Sequence, residues 1–275
     1  LSTRNVHTKN FMWTTNFNFA YNNNKVLKEA LREDALEPGR EGYPAGALFA
    51  LKTAGLDEEG YPMFQDKDGK AVSAMEFFKL QEWGFGATDL TARERRELYT
   101  YVGTADCPYT GGFNNTFTYK AFELGVNFSF DFGGKVRSQP TYSIVDFDKG
   151  RNTNRDILNR WTPENTETIF PVLLSQNERL DEYMWYSNQN EIYRNLDIWI
   201  RDLNYVRLQN IRLGYTLPTN FSRTLGMTSA TVAIEGRNLL VFGSSYKNYL
   251  DPETMSNAYA TPAPKSVTLS LNLIF

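Results

Sequence analysis

The feature that most limits this chain is a sustained alternation between large apolar and small polar residues. In one strand-like stretch Phe11, Trp13, Thr15, Phe17, Phe19 and Tyr21 share a face, opposite Met12, Thr14, Asn16, Asn18 and Ala20. Phe122, Leu124, Val126, Phe128, Phe130 and Phe132 alternate in the same way with Glu123, Gly125, Asn127, Ser129 and Asp131. Val267, Leu269, Leu271, Leu273 and Phe275 alternate with Ser266, Thr268, Ser270 and Asn272. A less regular stretch sets Ala230, Val232 and Ile234 against Thr231, Ala233 and Glu235. A period of two marks a strand whose faces meet different surroundings. These runs exceed the usual globular strand of about 5–6 residues and suit a tilted strand crossing a bilayer. Further strands are expected at 45–56, 113–120 and 203–217, the last closed by Pro218.

Two architectures can use such strands. A soluble β-sandwich buries the apolar face and wets the other. A transmembrane barrel turns its apolar face to lipid and its polar face to the lumen. The polar faces here are mostly small and neutral (Ser, Thr, Asn, Gly), unlike the Lys/Glu-rich faces that keep soluble sheets from pairing edge to edge. Aromatic residues make up 15% of the chain although hydrophobic residues in total reach only 41%, more aromatic weight than a soluble aliphatic core carries. No apolar run reaches the ~18 residues of a transmembrane helix, a test that is silent about transmembrane strands. The expected fold is therefore all-β: a transmembrane antiparallel β-barrel.

The connections support that expectation. Between the expected strands lie 22–44, 57–112, a tight turn at 120–121, 137–202, 218–229 and 243–265. From the second onward long and short alternate, which gathers the long ones at one end, as in outer-membrane barrels. Segment 22–44 is long for a periplasmic turn and departs from the pattern. The sequence ends on Phe275 inside its last strand, as expected of a strand that serves as a barrel-assembly signal through Val267, Leu269, Leu271, Leu273 and Phe275. It begins without Met, a charged leader or an apolar leader core, so a longer parent polypeptide is expected.

Chemistry-bearing groups are sparse. Lys plus Arg number 29 against 32 Asp plus Glu, a net charge of -3, which argues against nucleic acid as a partner. A single cysteine, Cys107, and a single histidine, His7, exclude a disulfide framework, a Cys/His zinc site and a metalloprotease His pair. No nucleophile-elbow, phosphate-loop or dinucleotide fingerprint occurs. The acidic pairs Glu58/Glu59 and Asp181/Glu182 fall on expected loops with nothing to separate their pKa values. The chain is thus expected to be no enzyme and to need no cofactor or metal. Asp66 to Gly69 (DKDG) reads as an Asp-Gly turn, since a calcium loop needs further ligands and a closing Glu. Residues 89–99 (DLTARERRELY) read as a short charged helix in a solvated loop. In the longest loop Tyr183, Met184, Trp185 and Tyr186 stand beside Asn188, Gln189 and Asn190. Rings next to amides can stack a sugar or anchor a partner protein, and they can equally pack a loop onto itself. Tyr183, Trp185, Tyr186 and Asn188 are accordingly candidates for contact with substrate or with a lid.

Specific strings then carry a resemblance. YVRLQNIRLGYTLP (Tyr205 to Pro218), VAIEGRNLLVF (Val232 to Phe242) and the terminal SVTLSLNLIF resemble the end of SusC/RagA-type TonB-dependent outer-membrane transporters. KNFMWTTNFNFAYNNNKVL (Lys9 to Leu27), GALFALKTAGLDEEGYPMFQDKDGK (Gly46 to Lys70), GGFNNTFTYKAFELGVNFSFDFGGKV (Gly111 to Val136) and NRWTPEN (Asn159 to Asn165) are similar to the same family, in its order. Ala121 stands where the family's turn commonly has Gly, which leaves that turn's geometry open. Asn204, Val206 and Glu164 are further departures that the scaffold tolerates.

The resemblance implies a 22-stranded barrel of which residues 1–275 supply the seven C-terminal strands. Seven is also the number read from the residues: 8–21, 45–56, 113–120, 122–136, 203–217, 229–242 and 266–275. It implies long extracellular loops at 57–112, 137–202 and 243–265, and a plug with a TonB-contacting segment in a preceding N-terminal part. The expected partners are outer-membrane lipid, the TonB complex and a SusD-like lipoprotein seated on the loops. The expected function is TonB-energised import of a bulky nutrient, an oligosaccharide or a peptide. Glu123, Asn127, Ser129, Asp131, Thr268, Ser270 and Asn272 would then face the lumen or the plug. The alternative is a surface barrel that adheres or supports structure without transporting, distinguished by lacking a plug.

Overall fold

A computed structural model describes residues 1–84, 87–138, 150, 155–173, 194–243, 251–254, 257 and 260–275. In chain order its strands are β1 (Ser2–His7), β2 (Phe11–Tyr21), β3 (Ala47–Leu51), β4 (Thr53–Leu56), β5 (Pro62–Gln65), β6 (Ala71–Val72), β7 (Tyr99–Thr104), β8 (Tyr109–Tyr119), β9 (Phe122–Arg137), β10 (Ile200–Thr216), β11 (Ser229–Phe242) and β12 (Ser266–Ile274). Seven of them make one sheet in the order β1-β2-β8-β9-β10-β11-β12, every neighbouring pair antiparallel. Sheet order follows chain order, so this is an up-and-down sheet. No described helix is long and apolar enough to cross a membrane.

The strand number agrees with the sequence reading, and six of the seven expected strands are in the sheet; one is not. Segment 45–56 lies outside the large sheet: β3 pairs with β7, and β4 belongs to a small sheet with β5 and β6. The reason is visible in burial. Ala50 and Leu51 are adjacent and both buried, so both faces of β3 are covered, unlike a strand that divides two solvents. The seventh place is filled by β1, which turns through 8–10 into β2. This correction removes the anomaly at 22–44. One long connection, 22–108, now joins β2 to β8, and long (22–108, 138–199, 243–265) alternates strictly with short (8–10, 120–121, 217–228).

β8 also starts earlier than expected, at Tyr109, and runs through Gly111 and Gly112. Glycine is required at 111 for contact: a Cβ there would meet the backbone oxygen of Asn18 and the Phe130 ring. In the tight turn it is Lys120 that adopts the left-handed conformation (φ 52), so Ala121 has no need to be glycine. On β10 the pairing with β9 shifts between Leu208 and Asn210, leaving Gln209 as a bulge. The bulge brings Tyr205 and Arg207 onto the same face as Arg212, although Arg207 and Arg212 are an odd number of residues apart.

The two faces of the sheet differ completely. On one, Trp13 stacks on Phe117 (5.5 Å between ring centroids), Phe17 on Phe130 (6.2 Å) and Phe122 against Tyr215 (4.6 Å). Much of this face is uncovered: Phe19 is 56% exposed and Leu269 76%. Its rings thicken at both ends, with Tyr21 against Tyr109 (5.3 Å) by the long connections and Tyr119, Phe122 and Tyr215 by the short ones. The 11 residues of β8 between those ends rise about 33 Å, or about 25 Å if tilted as barrel strands are.

The long connections build a second body with its own interior. Leu51, Phe64, Phe77, Phe78, Leu196 and Trp199 are all buried together. Phe64 stacks on Phe77 (4.8 Å) and meets Phe78 edge-on (5.0 Å). Between β6 and β7 lie α1 (Ala74–Phe77) and α2 (Ala92–Glu97). The charged stretch expected to be helical is α2, held by a reciprocal capping box between Thr91 and Glu94. The DKDG stretch is a hairpin turn. The Asp66 carboxylate accepts the amides of Asp68 (3.0 Å) and Lys70 (2.8 Å) and is thereby committed to the turn.

Candidate functional site

The register of the large sheet aligns its polar residues into transverse rows. One row reads Ser2, Asn16, Asn114, Asn127, Asn210, Arg237, Ser266, each opposite the next on the neighbouring strand. The next reads Arg4, Thr14, Thr116, Gly125, Arg212, Glu235, Thr268. Four adjacent asparagines form a belt of amide donors and acceptors across four strands. Such a belt offers hydrogen bonds of both kinds without net charge.

Of the residues expected on this face, Glu123 forms an ion pair with Arg212 (3.3 Å) and Ser129 accepts from Gln209 Nε2 (2.7 Å). Asn127 sits in the amide belt, Asn272 opposite Thr231, and Ser270 opposite Ala233 with its hydroxyl on the Ala233 carbonyl (3.3 Å). Thr268 lies opposite Glu235. Asp131 accepts from the Tyr205 hydroxyl at 2.5 Å. Val267, Leu269, Leu271 and Leu273 form the opposite, apolar face of β12, and Phe275 follows the strand with 82% exposure. Tyr183, Trp185, Tyr186 and Asn188 lie outside the described residues.

Asp131 belongs to a network the sequence reading missed. Arg207 is 2% exposed and pairs through Nη2 with Asp251 and through Nε with Glu253 (2.9 Å). The Tyr205 hydroxyl bridges Asp131 and Glu253 (3.0 Å to the latter). Asp251 accepts in addition the amides of Glu253 (3.0 Å) and Ala263 (3.3 Å). The cluster therefore clasps the 243–265 connection onto β10. Burial opposes the charged form of Asp251, but the Arg207 hydrogen bond and charge outweigh it and hold the carboxyl below its ordinary range. The signal in the sequence was the arginine of YVRLQN within an apolar run, but strict alternation, blind to the Gln209 bulge, set Arg207 and Arg212 on opposite faces.

Nucleophilic chemistry finds no support among these groups. Burial, with the charges of Asp131 and Asp106, pushes the Cys107 thiol up, away from a reactive thiolate. His7 lies opposite Met12 in the β1–β2 pair.

A two-faced up-and-down sheet with long connections at one end has parallels in sequence and in structure. No family model matches the chain. TonB-dependent receptor P3 of Formosa agariphila is 26% identical over 303 residues, covering 100% of this chain and 28% of that protein. TonB-dependent receptor SusC of Bacteroides thetaiotaomicron is 22% identical over 295 residues, covering 99% of this chain and 25% of that protein. This chain is similar to TonB-dependent receptors along its whole length. Among solved structures, the RagAB peptide transporter matches with a TM-score of 0.68 and 22% identity, over 99% of this chain and 28% of that chain. The seven-stranded sheet thus has the fold of a fragment of a TonB-dependent barrel. The chain spans 28% and 25% of the length of the two curated relatives named.

Proposed function

We propose that this chain is the C-terminal part of the wall of a 22-stranded outer-membrane barrel that imports a bulky nutrient, an oligosaccharide or peptide, with TonB energy and a SusD-like lipoprotein partner. The observation that carries the reading is the sheet's pair of faces: an aromatic face left uncovered opposite a face of amides, hydroxyls and paired charges. In water that aromatic face would be an aggregation site. In lipid it is the expected surface, and its ring-rich ends about 25 Å apart suit the apolar band of a transmembrane barrel. β1 and β12 each have one neighbour in the sheet. Open edges are not tolerated in hydrocarbon, so further strands of the parent protein close the barrel.

In this role Glu123, Asn127, Ser129, Asp131, Thr268, Ser270 and Asn272 line the lumen or touch the plug. The 22–108, 138–199 and 243–265 connections stand outside the cell, where Tyr183, Trp185, Tyr186 and Asn188 meet cargo or lid. The apolar side of β12, with Phe275, serves barrel assembly. The test is growth of the source bacterium on oligomers too large for passive pores, with the parent gene intact, deleted, or present without TonB. Loss of growth on at least one oligomer in both mutants is expected. Growth unchanged on a broad panel would overturn import and favour an adhesive or structural barrel.

A further inference from the structure

A cavity of about 640 Å³ lies in the loop body, between the segment around residues 29–40 and the β3–β7 pair. Phe49, Tyr99, Asn195 and Arg137 line its inner side. Two further charges on its wall are already matched, since Glu29 pairs with Arg40 at 3.3 Å. Glu37, also on the wall, is exposed to water. Arg137 is different. It is half-buried at the end of β9, and its guanidinium donates to the carbonyls of Arg194 (2.9 Å) and Phe49. Among the described residues it has no carboxylate in ion-pair contact.

Carbonyls orient a guanidinium without neutralising it, and among the described residues they take two of its five N–H donors. A charge withdrawn from water normally has a counter-ion. Tyr99 and Phe49 beside it supply apolar and aromatic surface of the kind that small-ligand sites use. We infer that this cavity is a subsite for a carboxylate group of the cargo, received by the Arg137 guanidinium in a charge-assisted, fork-shaped pair. Arg137 fixes the anionic end while the Phe49 and Tyr99 rings pack against the adjoining unit. Glu37, across the same cavity, acts electrostatically on Arg137 and opposes any negative charge that enters, which moderates affinity for the acid.

The inference rests on the import reading only in that the carboxylate belongs to cargo, and binding can be measured apart from transport. The complete receptor is purified in detergent and titrated calorimetrically with two matched pairs: trialanine and its C-terminal amide, and trigalacturonate and its methyl ester. The acid of at least one pair should bind roughly tenfold tighter than its neutral partner, and that pair identifies a peptide or a uronate as the source. Arg137→Gln should bring the ratio close to one, and Glu37→Gln should raise affinity for the acid. No preference in either pair, or a preference that survives Arg137→Gln, would overturn the subsite while leaving import standing. If Arg137→Gln does not fold, Glu37→Gln decides, because no gain in acid affinity also overturns the proposal. Failure of the growth test with the acid preference intact would overturn import and leave the subsite.

Discussion

The seven-stranded sheet and the body of loops above it use the same side chains in opposite ways. In the loop body Phe64 and Trp199 are 0% exposed and the charges of α2 stand outside. In the sheet the rings of Phe19, Phe122 and Phe132 stand outside, and the charges of Arg207, Arg212 and Glu235 are on the inner, polar side. One chain thus carries two opposite distributions of apolar and charged side chains. The loop body is an ordinary water-soluble core, driven by removing apolar area from water. The outer face of the sheet is left uncovered, and its strands are held by their hydrogen-bond ladders. Composition averages the two regions and describes neither.

The largest effect expected to sharpen this contrast is in the loop core. Phe64→Ala and Trp199→Ala should each cost about 3–5 kcal/mol of local stability. Limited proteolysis of whole cells should then cut within 47–104 while the heat-modifiable barrel band persists. Equal loss of the barrel band would mean that the two regions fold as one unit. Next comes the outer face of the wall. Val126→Arg should cost about 2–4 kcal/mol and lower the amount of barrel inserted, whereas Asn127→Arg, one residue along and on the other face, should have a much smaller effect. Equal effects on membrane-fractionated levels would break the assignment of faces.

A third test lies at the seam between the regions, where Arg207 clasps Asp251. Because the folded carboxyl is held below its unfolded value, its contribution is complete above the ordinary carboxylate range near pH 4 and is lost as pH falls through the depressed folded value. Hydrogen exchange of the described residues near 251–254 should therefore accelerate on acidification below about pH 4, and Asp251→Asn should remove that dependence. The smallest effect is at the surface of the loop body. Thr91→Ala removes one side of the α2 capping box and should cost about 1 kcal/mol, read as faster exchange of the α2 amides with transport unchanged.

The large sheet was largely legible because a strand whose two faces meet different surroundings writes them into every second residue. β9, β11 and β12 fall close to the expected boundaries for that reason. The stretch at 45–56 misled because a short strand in a soluble core reads locally like a strand of the large sheet, and only contacts with Leu196 and Trp199, far along the chain, reveal that both its sides are covered. β1 escaped notice because STRNVH has little apolar weight of its own and takes its place through pairing with β2. The Arg207–Asp251 clasp was illegible for a similar reason. Its partners meet only after the 243–265 connection folds back, and nothing local in either segment requires the other. Of the candidate lumen residues, the pattern placed each on a common face, but it could not say that Asp131 would be drawn into that clasp or that the amides would line up into a belt.

The bulge at Gln209 has a consequence for how such a wall can change length. In a regularly paired stretch of β10, gaining or losing one residue would turn every side chain beyond it to the opposite face of the sheet. At position 209 the odd residue is already absorbed by a local kink, and the faces on either side agree. That point is a splice in the sheet, a place where one residue more or fewer leaves the facing of the residues on either side unchanged.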